Sequence, residues 1–303
     1  MLFNIYIGNH IEEARPLLAD IIFPLKTALE LCGHLVNIDD NHWAVSPMVT
    51  NIFIENFGDD FLAQIIKDKQ EYGSAFRFGI VSTEDLLDPQ VMQGHKNAQR
   101  LNNFLKALEI ADFTWTIIAN ESELGQYSAS ENIALFELGG SEILRQTRPR
   151  PAQHKDIDFL FMGRNQPYRE PLFRMLVKYG FSVRLTGGLL PDYYRNSLLE
   201  RAKVAIDMRR GPEVRFTSPS RLCVGINNGI LMVAEEFDQS PLKNWHNFTQ
   251  NADYYNLIDT AINAVQDDFV GKGEEMRQKL LSQKPISQMA AQALNIPFFK
   301  GDK

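Results

Sequence analysis

Short continuous apolar runs alternate along this chain with longer stretches in which apolar positions recur at helical spacing. Short runs bounded by turn residues read as strands, and the longer amphipathic stretches read as helices. In the first half, residues 3–7 predict a strand that ends in Gly8-Asn9-His10. Leu17, Leu18, Ile21, Ile22, Leu25 and Leu29 then predict a helix over 12–32, with Pro16 near its start and Gly33 after its end. Strands follow over 34–38, 51–56, 76–81, 113–119 and 132–136, with helices over 60–70 and 96–111. In the second half, Ile157–Met162, Phe181–Leu185, Val204–Met208 and Ile230–Ala234 predict four strands separated by segments long enough for helices. Residues 253–265, 273–282 and 286–294 predict closing helices. Alternation of this kind predicts parallel sheets wrapped by crossover helices, an α/β fold of two doubly wound Rossmann-like domains. Gly139-Gly140 and the polar stretch 145–155, with Pro149 and Pro151, mark a boundary. The expected domains are 1–150 and 151–285, with 286–303 a C-terminal helix that packs back on the first.

At 303 residues the chain is long enough for two cores. No apolar run reaches the length of a membrane span, and the N-terminus reads as a strand rather than a leader, which predicts a cytoplasmic protein. Cys32 and Cys223 are too few for a disulfide framework or a metal cage and are expected as buried free thiols. The net charge of −7 argues against a whole-protein affinity for nucleic acid. Charge is unevenly spread, however: 13 of the 17 arginines lie between Arg145 and Arg221, where the net is +9 against −16 elsewhere. Arginine is what bidentate recognition of phosphate calls for. About half of these residues, Arg169, Arg174, Arg195 and Arg201 among them, are expected on solvated helix faces.

Ligands of open α/β sheets sit at the carboxyl ends of the strands. In the second half those ends carry Gly163-Arg164, Gly187-Gly188, Arg209-Arg210 and Glu235-Glu236. Small residues that admit a ligand to the backbone, guanidinium groups for phosphate and carboxylates for hydroxyls recur at one edge, which predicts a phosphate-bearing ligand. No Gly-x-x-x-x-Gly-Lys-Ser/Thr, no Gly-x-Gly-x-x-Gly after a first strand and no Gly-x-Ser-x-Gly occurs, against a P-loop ATPase, a dehydrogenase and a serine hydrolase. Asp39-Asp40 and Asp267-Asp268 are adjacent pairs and the histidines are scattered, so no metal site is expected.

The order of signals is more particular. A strand ends Phe161-Met162-Gly163, another ends in Gly187, and a helix with Tyr193-Tyr194 and Leu198-Leu199 precedes Ala202-Lys203-Val204-Ala205-Ile206. Ser218-Pro219-Ser220-Arg221 then opens a helix ending at Gly229, and a strand runs into Glu235. Over about residues 156–240 this resembles the C-terminal domain of GT-B-fold glycosyltransferases, especially the bacterial family related to the spore-maturation glycosyltransferases. The resemblance implies two Rossmann-like domains facing a cleft, the second holding a nucleotide-sugar donor and the first a saccharide or other hydroxyl acceptor. It implies that Gly163 lets its loop approach the diphosphate, that Ser218, Ser220 and Arg221 stand beside the donor phosphates, and that Glu235 or Glu236 takes the ribose hydroxyls. Retaining members of the wider fold carry two glutamates seven residues apart; here Glu235 and Glu236 are adjacent, which leaves the anomeric outcome open. Arg209, Arg210 and Arg215 form an unusually basic loop, which could neutralise a leaving diphosphate without a metal or read an acidic sugar or nucleoside monophosphate donor.

An inverting transfer needs a base at a strand end of the first domain. His10 and Glu84 are the preferred pair among His10, Asp39, Asp40, His42, Glu84 and Asp85, although His10 also suits a helix start and Thr83-Glu84-Asp85 a cap. Trp43 is the aromatic residue with the best case for facing a sugar, beside its commoner role in packing. The sequence thus predicts a metal-independent glycosyltransferase. The alternatives are a nucleotide-binding protein of the same fold without the chemistry, or a nicotinamide-dependent Rossmann enzyme. The basic stretch could dock weakly on an anionic membrane surface, although no long basic amphipathic helix accompanies it.

Overall fold

The computed structural model describes residues 1–10, 15–83, 85–86, 95–118, 120–128, 131–148, 150–187, 190–237 and 241–300. Two compact units emerge, one of Met1–Arg15, Leu25–Glu137 and Ser287–Lys303, the other of Pro16–Pro24 and Leu138–Ile286.

The first unit is built on β1 (Leu2–Tyr6), β2 (Leu35–Asp39), β3 (Val49–Ile54), β4 (Arg77–Ser82), β5 (Phe113–Thr116) and β6 (Ile133–Leu135). They form one sheet in the order β2-β1-β3-β4-β5-β6, every pairing parallel. Helices α1 (Arg15–Leu31), α2 (Asp59–Tyr72), α3 (His95–Ile110) and the short α4 (Glu121–Leu124) link these strands, α1 giving residues 16–24 to the second unit. Strands buried on both faces need apolar residues at successive positions. Ile52, Phe53 and Ile54 supply them in β3, all at most 1% exposed. Phe53, Phe57, Phe76, Phe78 and Phe104 then pack edge and face around one core.

The second unit is built on β7 (Ile157–Phe161), β8 (Val183–Leu185), β9 (Ala202–Asp207), β10 (Leu231–Glu235) and β11 (Gln250–Ala252), all parallel in the order β11-β10-β9-β7-β8. Its helices are α5 (Glu170–Lys178), α6 (Asp192–Arg201), α7 (Pro219–Asn227), α8 (Leu257–Gln266) and α9 (Phe269–Gln283). Asp158, the polar member of β7, joins three strands by accepting from the Ser182 amide at 2.8 Å and Lys203 Nζ at 2.6 Å. Glycine lets α9 approach the sheet: a Cβ on Gly273 would lie 2.4 Å from the Gly229 carbonyl oxygen.

Beyond α9, α10 (Ile286–Ala293) and α11 (Pro297–Lys300) close the described chain. Residues from Ser287 onward belong to the first unit, where Trp115 Nε1 donates to the Ala293 carbonyl and Phe299 packs on Phe3, Phe113 and Trp115. The boundary expected at 150 falls inside the second unit, because Gly140 already exchanges backbone hydrogen bonds with Lys284 and Ile286. β11 has no counterpart among the expected elements: Gln250-Asn251-Ala252 carries no apolar run, and pairing with β10 makes it a strand. Cys223 is buried and Cys32 only half-buried. No helix among the described residues is long and apolar enough to cross a membrane.

Candidate functional site

In the second sheet, the order in which successive strands are added reverses between β7 and β9: β8 lies outside β7, and β10 and β11 lie beyond β9. Loops diverge at such a switch point and leave room for a ligand beyond the carboxyl ends of the strands. Gly163 follows β7 there and Arg209 follows β9, while the Gly187 amide donates to the Gly163 carbonyl at 3.2 Å from a left-handed backbone, φ +69°. A side chain on Gly163 would bring its Cβ within 3.3 Å of Arg221 Nη1. Bare backbone thus faces a guanidinium.

Arg221 lies in the first turn of α7. Its Nε donates to Asp207 Oδ1 at 2.7 Å and its Nη2 to the Met208 carbonyl at 3.3 Å. Asp207 is wholly buried, and its Oδ2 has no partner among the described residues. A second guanidinium, that of Arg169, donates to the carbonyls of Arg164, Met208 and Arg209 and lies, like Arg221, against the Phe161 ring. Burial first, and the neighbouring Arg221 charge second, lower the Arg169 group to about 10. Only Arg221 bonds Asp207, and Arg169 bonds carbonyl oxygens alone, which leaves an excess positive charge next to the amino end of a helix, a combination that attracts an anion. Ser218 caps α7 without bonding back to it; its hydroxyl meets that of Ser220 at 2.8 Å, and the buried Thr217 hydroxyl beside them has no partner among the described residues. Arg164 is exposed, and Arg210 and Arg215 are half-buried on the loop from β9 to α7.

Glu235 and Glu236 part company at the end of β10. Glu235 is fully buried, while Glu236 is exposed. The Glu235 carboxylate accepts from Arg209 Nη2 at 2.6 Å, Arg209 Nε at 3.0 Å, the Arg209 amide at 3.0 Å and the Tyr168 hydroxyl at 2.6 Å. Burial first and the bond to Glu235 second raise the Tyr168 phenol above its ordinary value. Burial opposes the charge on Arg209, but its bond to Glu235 and that carboxylate's field outweigh it and raise the guanidinium's pKa. For Glu235 to receive a ribose diol, Arg209 must swing off its oxygens. Tyr168, absent from the residues singled out in the sequence, was marked only by its place two residues before α5.

In the first unit, the order of addition reverses between β1 and β3, and His10 lies at that point. It is 9% exposed, with Nε2 3.3 Å from the Ile54 carbonyl oxygen. Asn9 Nδ2 donates to the carbonyls of Ile54 and Asn56. Glu84 lies outside the described residues, as does Gly188. A carboxylate not anticipated, Glu55, follows β3: it is 6% exposed, accepts from the Thr83 amide at 2.6 Å and pairs with Arg100. The acid directly after the apolar run Ile52-Phe53-Ile54 was its signal.

Two expectations need correction. Arg169 and Arg195 are not on solvated faces; they are 5% and 7% exposed. Arg169 ties three loop carbonyls together, and Arg195 pairs with Asp20 and donates to Gln146 Oε1, so each guanidinium spends its donors inside the unit. Arg174, by contrast, is exposed on α5. Trp43 takes the commoner of its two expected roles: it packs in an aromatic cluster with Tyr6, Phe53 and Phe61, and its indole N–H donates to Asp68 at 2.8 Å.

Two all-parallel α/β units, the second with its charged side chains gathered at the switch point, have the fold of GT-B glycosyltransferases. The solved structures similar to the chain include an alpha-glucosyltransferase in complex with UDP-glucose and DNA containing an abasic site, with TM-score 0.59, 10% identity, and 93% of this chain and 95% of that one covered. An alpha-glucosyltransferase in complex with UDP is similar with TM-score 0.56 and 9% identity over 93% of this chain and 96% of that one. No protein-family model matches the sequence, and no curated protein matches it.

Proposed function

We propose that the protein is a glycosyltransferase that moves a sugar from a nucleotide-sugar donor to a hydroxyl acceptor, with the donor held at the switch point of the second unit. One observation carries this reading: Arg221, paired with the buried Asp207, and Arg169, which bonds only carbonyl oxygens and no carboxylate, stand together beside the amino end of α7, opposite the bare backbone of Gly163. Such excess positive charge suits a diphosphate, whose developing negative charge on departure is stabilised by fixed donors. Ser218, Ser220 and the α7 amides add donors, and Arg209, Arg210 and Arg215 line the neighbouring loop. In this reading the guanidinium groups do the work a divalent cation does elsewhere, so transfer survives a chelator. Glu235 takes the ribose once Arg209 moves. His10, with Glu84, is the proposed proton acceptor for the acceptor hydroxyl, its ring oriented by the Ile54 carbonyl. The acceptor is a saccharide or another hydroxyl compound, and kinship with the spore-maturation-type glycosyltransferases rests on the Ser218-Pro219-Ser220-Arg221 and Gly163 signals.

The test is calorimetric titration of the whole chain with UDP, GDP, CDP, ADP and NAD, followed by hydrolysis of the matching nucleotide sugars with EDTA present. Binding of a nucleoside diphosphate, with slow sugar release that His10→Ala abolishes while affinity stays, supports the reading. Binding of NAD alone would overturn it. Nucleotide binding with no release or transfer to any hydroxyl acceptor would leave a binding protein of the same fold.

A further inference from the structure

We propose that the open depression beside Glu235 is the subsite for the nucleobase, and that it holds the base by stacking without selecting among bases; this rests on the donor reading above. Tyr168, Tyr254 and Tyr255 line it with Pro167, Pro171 and Pro212. The aromatic platform is fixed in advance. The rings of Tyr168 and Tyr254 lie 4.5 Å apart at 32°, the Tyr254 hydroxyl donates to the Tyr168 carbonyl at 2.9 Å, and the Tyr168 hydroxyl is anchored on Glu235. Tyr255 stands edge-on to Tyr254 and is 88% exposed.

Position along the sheet agrees. From Gly163 after β7, across β9 and β10, to Asp253-Tyr254-Tyr255 after β11 is three strand spacings, ~14 Å. Diphosphate, ribose at Glu235 and base at the tyrosines fall in that order, at the extended length of a nucleoside diphosphate. Every base offers a π-face, so a shelf of rings and prolines tolerates any of them.

Selection among bases would need side chains with free, fixed donors or acceptors, and the charged groups at the rim have theirs engaged. Arg209 Nη1 is held by the carbonyls of Pro212 and Val214, and the Nε and Nη2 that leave Glu235 when the ribose binds are on a displaced side chain, not a fixed one. The Asp253 oxygens accept from the amides of Tyr255 and Asn256 and from Asn256 Nδ2. The exposed Tyr255 hydroxyl both donates and accepts, so it suits either kind of base edge.

Calorimetric titration of the whole chain with UDP, GDP, ADP, CDP and inorganic pyrophosphate tests this, repeated on Tyr255→Ala, a surface change that leaves the core intact. The four nucleotides are expected to bind within about tenfold of one another, and Tyr255→Ala to weaken all four by about tenfold while pyrophosphate affinity stays the same. One nucleotide binding a hundredfold tighter than the rest, or a Tyr255→Ala variant with undiminished affinity for them, overturns the inference alone. No binding by any nucleotide or by pyrophosphate overturns the donor reading with it.

Discussion

Replacing Arg221 by Ala removes two things at once, and the structure says how to separate them. Asp207, its partner at 2.7 Å, is wholly buried, and the Arg221 side chain is 19% exposed. Breaking a buried pair by deleting one member costs about 3–5 kcal/mol, because the other charge is left without a counter-ion. Arg169 remains close to Asp207, which puts the expected loss near the lower end, about 3 kcal/mol, within the 5–15 kcal/mol of an ordinary folded protein. Under the proposed function the same change also deletes a charge-assisted bond to the donor phosphate, about 1.5–3 kcal/mol, or roughly ten- to hundredfold in UDP affinity. The double variant Asp207→Leu/Arg221→Met replaces both partners by apolar groups and is expected to recover most of the stability but none of the affinity. Urea unfolding gives the first quantity and calorimetry with UDP the second. An Arg221→Ala variant as stable as the parent would refute the burial argument; a double variant with full UDP affinity would refute the phosphate role.

Lys155, whose Nζ donates to the carbonyls of Glu200 and Ala202, is lowered to about 8 by burial first and the Arg150 charge second. A depressed folded-state pKa means that the unfolded chain holds this proton more tightly, so Lys155 costs stability below about pH 8 and the cost fades as pH rises towards its ordinary value of 10.5. Urea midpoints of the parent should therefore gain on those of Lys155→Met between pH 7 and 10; parallel profiles would contradict this. Arg195→Ala, which strands Asp20 and Gln146, should lower stability by about 3 kcal/mol in the same assay. Gly273→Ala should cost about 1–3 kcal/mol, since its Cβ meets backbone atoms of Gly229 and Leu231 that cannot rotate away. A neutral result would refute the close approach of α9 to the sheet.

The alternation of strand and helix was legible because the central strands of both sheets are parallel and buried on both faces and so announce themselves as apolar runs: Ile157–Phe161 and Leu231–Glu235 were located to within a residue or two. β11 was not, because an edge strand of three residues paired on one side needs no apolar signature. The place where the chain passes from one unit to the other was blurred for a related reason. Gly139 and Gly140 read as a loop, yet Gly140 packs on α9, where a Cβ on it would touch the Leu281 backbone at 2.9 Å, and Gly139 packs on Lys284 and Ile286 just beyond it. Close contacts made by the absence of a side chain leave no pattern in hydrophobicity.

The site was legible in kind and not in detail. Strand ends pointed to Gly163, Arg209 and Glu235, and the helix start after Ser218 pointed to Arg221, since the fold fixes which residues meet at a switch point. What each charge does depends on which other charge reaches it, and that is tertiary. Arg169 and Arg221 differ little in sequence, each at the start of a helix, yet one bonds only carbonyl oxygens and holds loops together, while the other bonds a carboxylate and keeps one edge toward Gly163. Glu235 and Glu236 are adjacent, and one position along a strand decides that the first is enclosed by Arg209 and Tyr168 while the second meets solvent. Counting thirteen arginines in one quarter of the chain suggested an anion site but overstated the charge on offer, because Arg150, Arg169, Arg195, Arg201, Arg209 and Arg221 are all engaged within the unit. The positive field that a diphosphate would meet is the small excess left by that pairing, concentrated where Arg169, bonded to no carboxylate, stands beside the pair of Arg221 and Asp207.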